Sequence, residues 1–231
     1  MRVVAIDGPA ASGKSSTAQA VARALGWAHL DSGALYRALT LAVLDNLPEG
    51  EQGKGGGPSP QRIVALAEEL PVRLVRSDNA YVPEVAGVDV EQAIRGERVT
   101  AQVSAVAAIP EVRAWANAQQ RRAVAEHPVG VVVDGRDIGT VVFPDAPVKV
   151  FLTATPDERA RRRITQRGEA LDERRLARES QALAARDTAD SSRVVAPLKP
   201  AADALVLDTT HLTLDEQVRR IVALARARWP A

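Results

Sequence analysis

Short apolar runs alternate along much of this chain with longer stretches whose apolar residues recur at helical spacing. The apolar runs, each of a length that suits a buried strand, cover residues 3–6, 27–30, 129–133, 148–152 and 204–207. After the first run, Ser15 to Leu25 has a helical pattern, and Gly26 follows as a C-terminal cap. Apolar strands that alternate with helices indicate a parallel sheet covered on both faces. We therefore expect an α/β fold: a three-layer α/β/α core with about five parallel strands.

The alternating pattern is interrupted between residues 45 and 100. Val72–Val75 and Tyr81–Val85 flank a Ser77-Asp78-Asn79 turn, which predicts a hairpin. The polar segment from Glu49 to Pro60 is rich in glycine, which predicts a mobile loop. We therefore expect a single domain with an insertion. Its predicted parts are a core of residues 1–37, 105–158 and 179–231, an inserted subdomain of residues 38–104, and a separate segment of residues 159–178.

The segment from Gly8 to Ser15 fits the pattern G-x-x-x-x-G-K-[ST], in which a loop between a strand and a helix binds phosphate. Gly8 and Gly13 allow the backbone N–H groups to turn inward, and the following helix N-terminus favours an anion. Lys14 supplies a cation for the outer phosphates, and Ser15 supplies a hydroxyl for magnesium. The chain is therefore predicted to bind a nucleoside triphosphate. The predicted contacts are Gly8, Pro9, Ala10, Ala11, Ser12, Gly13, Lys14, Ser15 and Ser16.

The composition is that of a globular protein. The chain has 231 residues, a formal net charge of +1 and no cysteine. This charge gives no reason to expect nucleic acid or a membrane surface as a partner. No apolar run approaches the ~20 residues that span a bilayer, the first strand leaves no room for a signal peptide, and the absence of cysteine suits a reducing compartment. We expect a cytoplasmic monomer, and the scattered His29, His127 and His211 predict no histidine metal site.

Three polar clusters follow predicted strands. They are the phosphate loop, Asp31 to Arg37 (DSGALYR) and Asp134 to Asp137 (DGRD). Because parallel strands end at one edge of a sheet, and ligands bind there, we expect the clusters to converge. Asp31 or Ser32 also suits a helix N-cap, but Arg37 and Arg136 are harder to explain in that way. Their guanidinium groups suit a second phosphate.

An arginine-dense segment follows the fourth apolar run. Its members are Arg159, Arg161, Arg162, Arg163, Arg167, Arg174, Arg175 and Arg178. Such a segment often forms a solvated helix face, and Glu158, Glu169, Glu173 and Glu179 are available as partners. Phosphoryl transfer, however, needs cations around the moving group. We interpret residues 159–178 as a lid that supplies them.

Four segments of the chain, GPAASGKS, LDSGALYR, DGRDIGTVVFPDAPVK and APLKPAADALVLDTT, resemble bacterial cytidylate kinases, a branch of the nucleoside monophosphate kinases. The resemblance runs nearly end to end. It implies transfer of the γ-phosphoryl group of ATP, with Mg²⁺, to CMP or dCMP. It also implies that residues 38–104 bind the monophosphate.

The resemblance assigns a role to individual residues. Lys14 would hold the β- and γ-phosphates, and Ser15 would help to bind magnesium. The residues implied for the CMP phosphate are Tyr36, Arg37 and Arg136; for cytosine, Ser32, Arg113, Asp137 and Arg193; and near the sugar, Ser104, Arg186 and Asp190. Asp134 either joins the magnesium shell or orients Arg136. Lys14, Arg136 and Asp134 are the predicted catalytic set.

Three other functions share part of this sequence pattern. Another small-molecule P-loop kinase, acting on AMP, dTMP or shikimate, would share the phosphate loop but not DSGALYR and DGRD. A GTPase would need an N-K-x-D motif, and none of the four lysines follows an asparagine. A nucleotide-binding module without turnover would have no use for paired monophosphate arginines.

Overall fold

The computed structural model describes residues 2–47 and 58–230. The strands are β1 (Val3–Asp7), β2 (Ala28–Asp31), β3 (Val72–Ser77), β4 (Ala80–Val85), β5 (Val88–Asp89), β6 (Val131–Gly135), β7 (Val148–Thr153) and β8 (Leu205–Asp208). The α-helices are α1 (Lys14–Leu25), α2 (Ser32–Asn46), α3 (Pro60–Glu69), α4 (Glu97–Val106), α5 (Pro110–Ala125), α6 (Pro156–Gln166), α7 (Glu173–Ser191) and α8 (Leu214–Arg228). A 3₁₀ turn covers Ala93–Arg95, and a π-helical turn covers Ile138–Val142. No helix in these two stretches is long and apolar enough to cross a membrane.

The chain divides into two compact units. The first comprises Met1–His29 and Val129–Ala231, and the second comprises Leu30–Pro128. The second unit is longer than the predicted insertion of residues 38–104, because α2 and α5 contribute to its apolar core. The bounds predicted for the insertion and for the segment 159–178 stay predictions. The predicted loop of residues 49–60 lies largely outside the described residues.

A mainly parallel sheet forms the first unit, which confirms the predicted α/β class. β1 pairs in parallel with β6 and β7, and β7 pairs in parallel with β8. The five strands run in the order β2-β6-β1-β7-β8. The register places Asp7 opposite Gly135, so the loops that follow β1 and β6 leave the sheet side by side. This edge carries the phosphate loop and the DGRD segment.

The core of the first unit lies between this sheet and two helices, α1 and α8. Ile6 and Val150 of the sheet pack with Val21 of α1 and Ile221 of α8, and all four are fully or almost fully buried. The expectation of a sheet covered on both faces is wrong at β8, where Leu205 and Val206 are exposed. β8 is an edge strand in the sheet order, and only its Leu207 is buried.

The second unit contains the predicted hairpin and the helices α2, α3, α4 and α5. β3 and β4 are antiparallel, with Ser77 opposite Ala80, and Asp78 in the turn has a φ of 46°. The core of this unit is formed mainly by side chains of α2, α3, α4 and α5, together with the 3₁₀ turn at Ala93–Arg95. Its largest fully buried members are Leu35, Leu39, Ile63 and Ile94.

Candidate functional site

The phosphate loop has the predicted position between β1 and α1. Gly8, Ala11 and Gly13 have positive φ angles of 149°, 58° and 92°. A Cβ atom at Gly8 would lie 2.1 Å from the carbonyl oxygen of Leu152, so the close approach of two backbones requires glycine there. The chain thus turns sharply after β1, and the N-terminus of α1 follows directly at Lys14.

We expect Gly8→Ala to abolish ATP binding, because the clash is with backbone that cannot move away at small cost. Calorimetric titration with ATP and a thermal unfolding curve would measure the effect. Gly26→Ala is the matched control, since Gly26 has a φ of 65° but nothing within 4 Å of the added atom. It should cost only about 1–2 kcal/mol of backbone strain. Equal ATP affinity for wild type and Gly8→Ala would contradict the explanation.

Four cationic side chains donate hydrogen bonds to main-chain carbonyl groups of the phosphate loop. The pairs are Lys14 with Pro9 (2.7 Å), Arg136 with Gly8 (3.0 Å), Arg159 with Ala10 (3.1 Å) and Arg162 with Ser12 (3.4 Å). Burial, followed by repulsion from Arg136, holds the pKa of Lys14 well below its usual value. The loop is therefore surrounded by positive charge, which suits a polyphosphate.

Asp134, at the end of β6, is bound through both carboxylate oxygens. Oδ2 accepts a hydrogen bond of 2.8 Å from Ser15 Oγ, and Oδ1 lies 2.7 Å from His29 Nε2. Burial opposes ionisation of Asp134. The hydrogen bond and charge of His29, the charge of Lys14 and the bond from Ser15 outweigh it, and the pKa is lowered. This is a hard oxygen pair of the kind that binds Mg²⁺ together with phosphates and water.

The distribution of the other acidic groups also fits a magnesium ion that a nucleotide helps to hold. Among residues 2–47 and 58–230, no three His, Cys, Asp or Glu side chains cluster as a metal cage. Mg²⁺ commonly needs only one or two protein oxygens when a nucleotide supplies the others. Of the two roles left open for Asp134, these contacts favour the magnesium shell, because Arg136 binds a different carboxylate.

Arg136, Asp190 and Arg193 form one network in the first unit. Arg136 Nε donates to Asp190 Oδ2 at 2.9 Å, and Arg193 Nη2 donates to Asp190 Oδ1. Asp190 lies on α7 and is 1% exposed, whereas the Arg136 side chain keeps 21% exposure. Arg186 is one helical turn earlier on α7 and repels Lys14 electrostatically. These four predicted substrate residues, and Asp137 with them, are thus in the unit that holds the phosphate loop.

The turn after DGRD is fixed by Asp7, the last residue of β1. Its carboxylate accepts hydrogen bonds from the N–H groups of Ile138 (2.8 Å) and Gly139 (2.7 Å). Asp137, predicted to contact cytosine, is buried directly before this turn. Burial raises the pKa of Asp7 from 3.8 to about 6, although these two bonds and Lys14 act against it; the charge of Asp137 raises it further.

This pKa makes a prediction for stability. Between about pH 4 and pH 6 the unfolded chain releases the Asp7 proton while the folded protein retains it. The free energy of unfolding therefore falls with rising pH, by up to about 1.4 kcal/mol per pH unit, and this contribution is constant above about pH 6. Asp7→Asn should show a flatter slope in urea unfolding measured from pH 4.5 to 7.5. Identical slopes for the two proteins would contradict the assignment.

The other predicted substrate residues lie in the second unit. Arg37 Nη1 donates to the carbonyl of Ile94 at 3.1 Å and to Thr100 Oγ1 at 3.0 Å. Ser32 begins α2 and is buried, and Ser104 is half-buried on α4. Arg37 is therefore held in a fixed direction by groups of its own unit.

Tyr36 and Arg113 pack together in the same unit. The Arg113 guanidinium lies 5.5 Å from the centre of the Tyr36 ring, and its Nη1 donates to the Ala107 carbonyl at 3.0 Å. Both side chains are almost fully buried.

Asp31, the alternative N-cap of α2, does accept a hydrogen bond of 2.9 Å from the Gly33 N–H group. This aspartate therefore caps the helix, and its Oδ2 atom also accepts a hydrogen bond of 3.3 Å from Arg95.

Among the arginines of residues 159–178, four show two kinds of contact. Arg159 and Arg162 contact the phosphate loop, whereas Arg167 and Arg175 pair with Glu179 and Asp172 on the protein surface. Arg162 also donates to the carbonyl oxygen of Thr209 at 2.6 Å and to its hydroxyl at 2.9 Å, and its Nε contacts Glu158. The acidic partners are those of a solvated helix face. That the segment acts as a lid stays a prediction.

Two residues of the site were not among the predicted ones. No metal-ligand spacing connects His29 with the other histidines, and Asp7 precedes the loop motif. Their partners lie 105 and 131 residues away in the chain. A polar side chain within or directly after an otherwise apolar run is the one signal that marks both positions.

Comparisons with known proteins identify one family over nearly the whole chain. A family model described as cytidylate kinase matches residues 4–227. The cytidylate kinase of Klebsiella pneumoniae (strain 342) is 44% identical over 98% of this chain and 96% of its own length. The cytidylate kinase of Pectobacterium atrosepticum is 46% identical over 97% of this chain and 96% of its own length. The crystal structure of TT1252 from Thermus thermophilus has a similar fold, with a TM-score of 0.51 at 19% identity over 100% of this chain and 98% of that one.

Proposed function

The chain belongs to the cytidylate kinase family, and from this premise we propose that it transfers the γ-phosphoryl group of ATP to CMP or dCMP. The products are ADP and CDP or dCDP. ATP as the phosphoryl donor follows from the family. Mg²⁺ and the individual site residues are our proposals.

The proposal rests on the contacts of Arg136. One guanidinium nitrogen donates to the carbonyl of Gly8 in the phosphate loop, and another donates to Asp190. Within the described residues the third nitrogen, Nη2, has no hydrogen-bond partner in the protein. Because the side chain is partly exposed, Nη2 is available to a phosphate oxygen. A single arginine therefore links the ATP loop with the residues proposed for the monophosphate.

The transfer we propose is direct and in line, with no covalent intermediate on the protein. An oxygen of the CMP phosphate attacks the γ-phosphorus, and the protein contributes position and positive charge. The N–H groups at the start of α1 and the Lys14 ammonium bind the outer phosphates. Arg136, with Arg37 and Tyr36, binds the acceptor phosphate. Mg²⁺ at Ser15 and Asp134 would neutralise charge on the donor phosphates.

Recognition of the base follows from hydrogen-bonding chemistry. Cytosine carries an exocyclic amine donor beside acceptor atoms, so a carboxylate paired with arginine suits it. We propose that Ser32, Arg113, Asp137 and Arg193 make these contacts, and that Ser104, Arg186 and Asp190 lie near the sugar. Asp137 and Arg113 are 4% and 3% exposed. A wrong base that cannot bond to polar groups this buried binds weakly, which makes discrimination strong.

The test is ADP release from ATP and Mg²⁺ by the purified protein, with CMP, dCMP, UMP, AMP, dTMP and shikimate supplied separately. Turnover with CMP and dCMP well above the rest supports both the reaction and the base contacts. If another acceptor reacts fastest, the proposed cytosine contacts are wrong. If ATP binds but no acceptor reacts, the proposed activity is wrong and the chain is a binding module.

A further inference from the structure

His29 is a buried histidine to which the transfer reaction gives no role. It lies on β2 and is 7% exposed, and its Nε2 atom is 2.7 Å from Asp134 Oδ1. An ionised carboxylate only accepts hydrogen bonds, so Nε2 carries a proton and donates it to Asp134. That proton leaves Nε2 unable to ligate a metal ion. Through this bond, His29 can act at the site by way of Asp134.

The two oxygens of Asp134 have different partners. Oδ1 binds His29, and Oδ2 accepts the hydroxyl proton of Ser15 at 2.8 Å. The terminal torsion of an aspartate has broad, two-fold minima, so one hydrogen bond leaves the carboxylate free to tilt. The second bond, on the opposite oxygen, removes this freedom. The plane of the Asp134 carboxylate is thus set jointly by His29 and Ser15.

We propose that His29 is a positioning residue for the magnesium form of ATP: it holds Asp134 so that Oδ2 takes the hydroxyl proton of Ser15. This inference rests on the proposed function, since it concerns how the donor nucleotide is bound. When Ser15 directs an oxygen lone pair at a cation, its proton needs an acceptor on the other side. Asp134 Oδ2 is that acceptor, and His29 keeps it in place.

Removal of the His29 N–H group should therefore weaken magnesium-dependent binding specifically. Supporting groups of metal ligands typically contribute 10- to 100-fold in metal affinity or activity. We expect His29→Leu to weaken ATP binding about tenfold in Mg²⁺ and by less than about twofold in EDTA. The KM for CMP should stay near the wild-type value, because Asp134, the partner of His29, is proposed to act on the donor nucleotide.

Two amide variants separate positioning from packing. In His29→Gln the side-chain nitrogen extends about as far as Nε2 and can donate to Asp134. In His29→Asn the side chain is too short for its nitrogen to reach Asp134. We expect Gln to restore the magnesium-dependent affinity and Asn to behave like Leu. This pair also serves if His29→Leu does not fold, since both side chains are polar and smaller than histidine. His211→Gln, at an exposed histidine, is the matched control and should equal wild type.

The experiment is calorimetric titration of each full-length variant with ATP, in Mg²⁺ and in EDTA, with thermal unfolding measured in parallel. A loss of affinity confined to Mg²⁺ and restored by Gln supports the inference. An equal loss in Mg²⁺ and EDTA, or no difference between Gln and Asn, overturns it and leaves His29 a packing residue. Because binding is measured without an acceptor, failure of CMP turnover in the wild type would be seen separately.

Discussion

Lys14→Ala is expected to lower CMP turnover by about 10³-fold or more while the protein remains folded. The Lys14 ammonium lies at the start of α1, 2.7 Å from the carbonyl of Pro9. It is buried beside Arg136, and this burial lowers its pKa. Burial therefore destabilises the charged form of Lys14 in the folded protein, and the negative charge of a bound phosphate stabilises it. Its removal takes away transition-state stabilisation without weakening the core.

The measurements are ADP release, ATP binding and thermal unfolding of the same preparation. Lys199→Ala is the matched control, because Lys199 is an exposed lysine of the same unit. It should leave all three quantities unchanged. Lys14→Arg retains the charge but replaces a compact ammonium with a planar fork, so we expect it to restore little activity. Near-normal turnover of Lys14→Ala would show that the loop does not act on the transferred phosphate.

The phosphate loop could be predicted from the sequence because all its determinants are local. Gly8 is required by the approach of the next backbone, Gly13 by a positive φ, and Lys14 and Ser15 follow at fixed spacing. Apolar runs likewise located the parallel strands to within one or two residues. The rule that ligands bind beyond the carboxyl ends of such strands then led to DGRD.

The contacts of Asp7 and His29 could not be predicted in this way. They depend on β6 lying beside β1 on one side and β2 on the other, and that strand order is not encoded in any local pattern. The partners of the arginines likewise divide into those that are close in the sequence and those that are distant. The pair Glu158 and Arg162 follows from helical spacing, whereas the bond from Arg159 to Ala10 joins positions 149 residues apart. Local rules therefore identified the site but not the side chains that fix it.

Arg136→Ala is expected to raise the Kd for CMP by about 10²-fold or more, and that for ATP far less. Nη2 is the nitrogen available to the acceptor phosphate, and each hydrogen bond that it donates there is charge-assisted on both sides. The same substitution deprives Asp190 of one of its two arginine partners. A modest fall in thermal stability should therefore accompany the loss of CMP binding. Calorimetry with each nucleotide measures both constants.

The bond from Arg136 to Gly8 requires a control, since its loss could disturb the phosphate loop. Arg162→Ala removes a comparable arginine-to-loop contact, at Ser12, from a side chain that has no proposed role toward CMP. It should weaken ATP binding and leave the Kd for CMP unchanged. If both variants weaken both nucleotides equally, Arg136 acts only through the shape of the loop. Opposite preferences of the two variants would assign Arg136 to the acceptor and Arg162 to the donor.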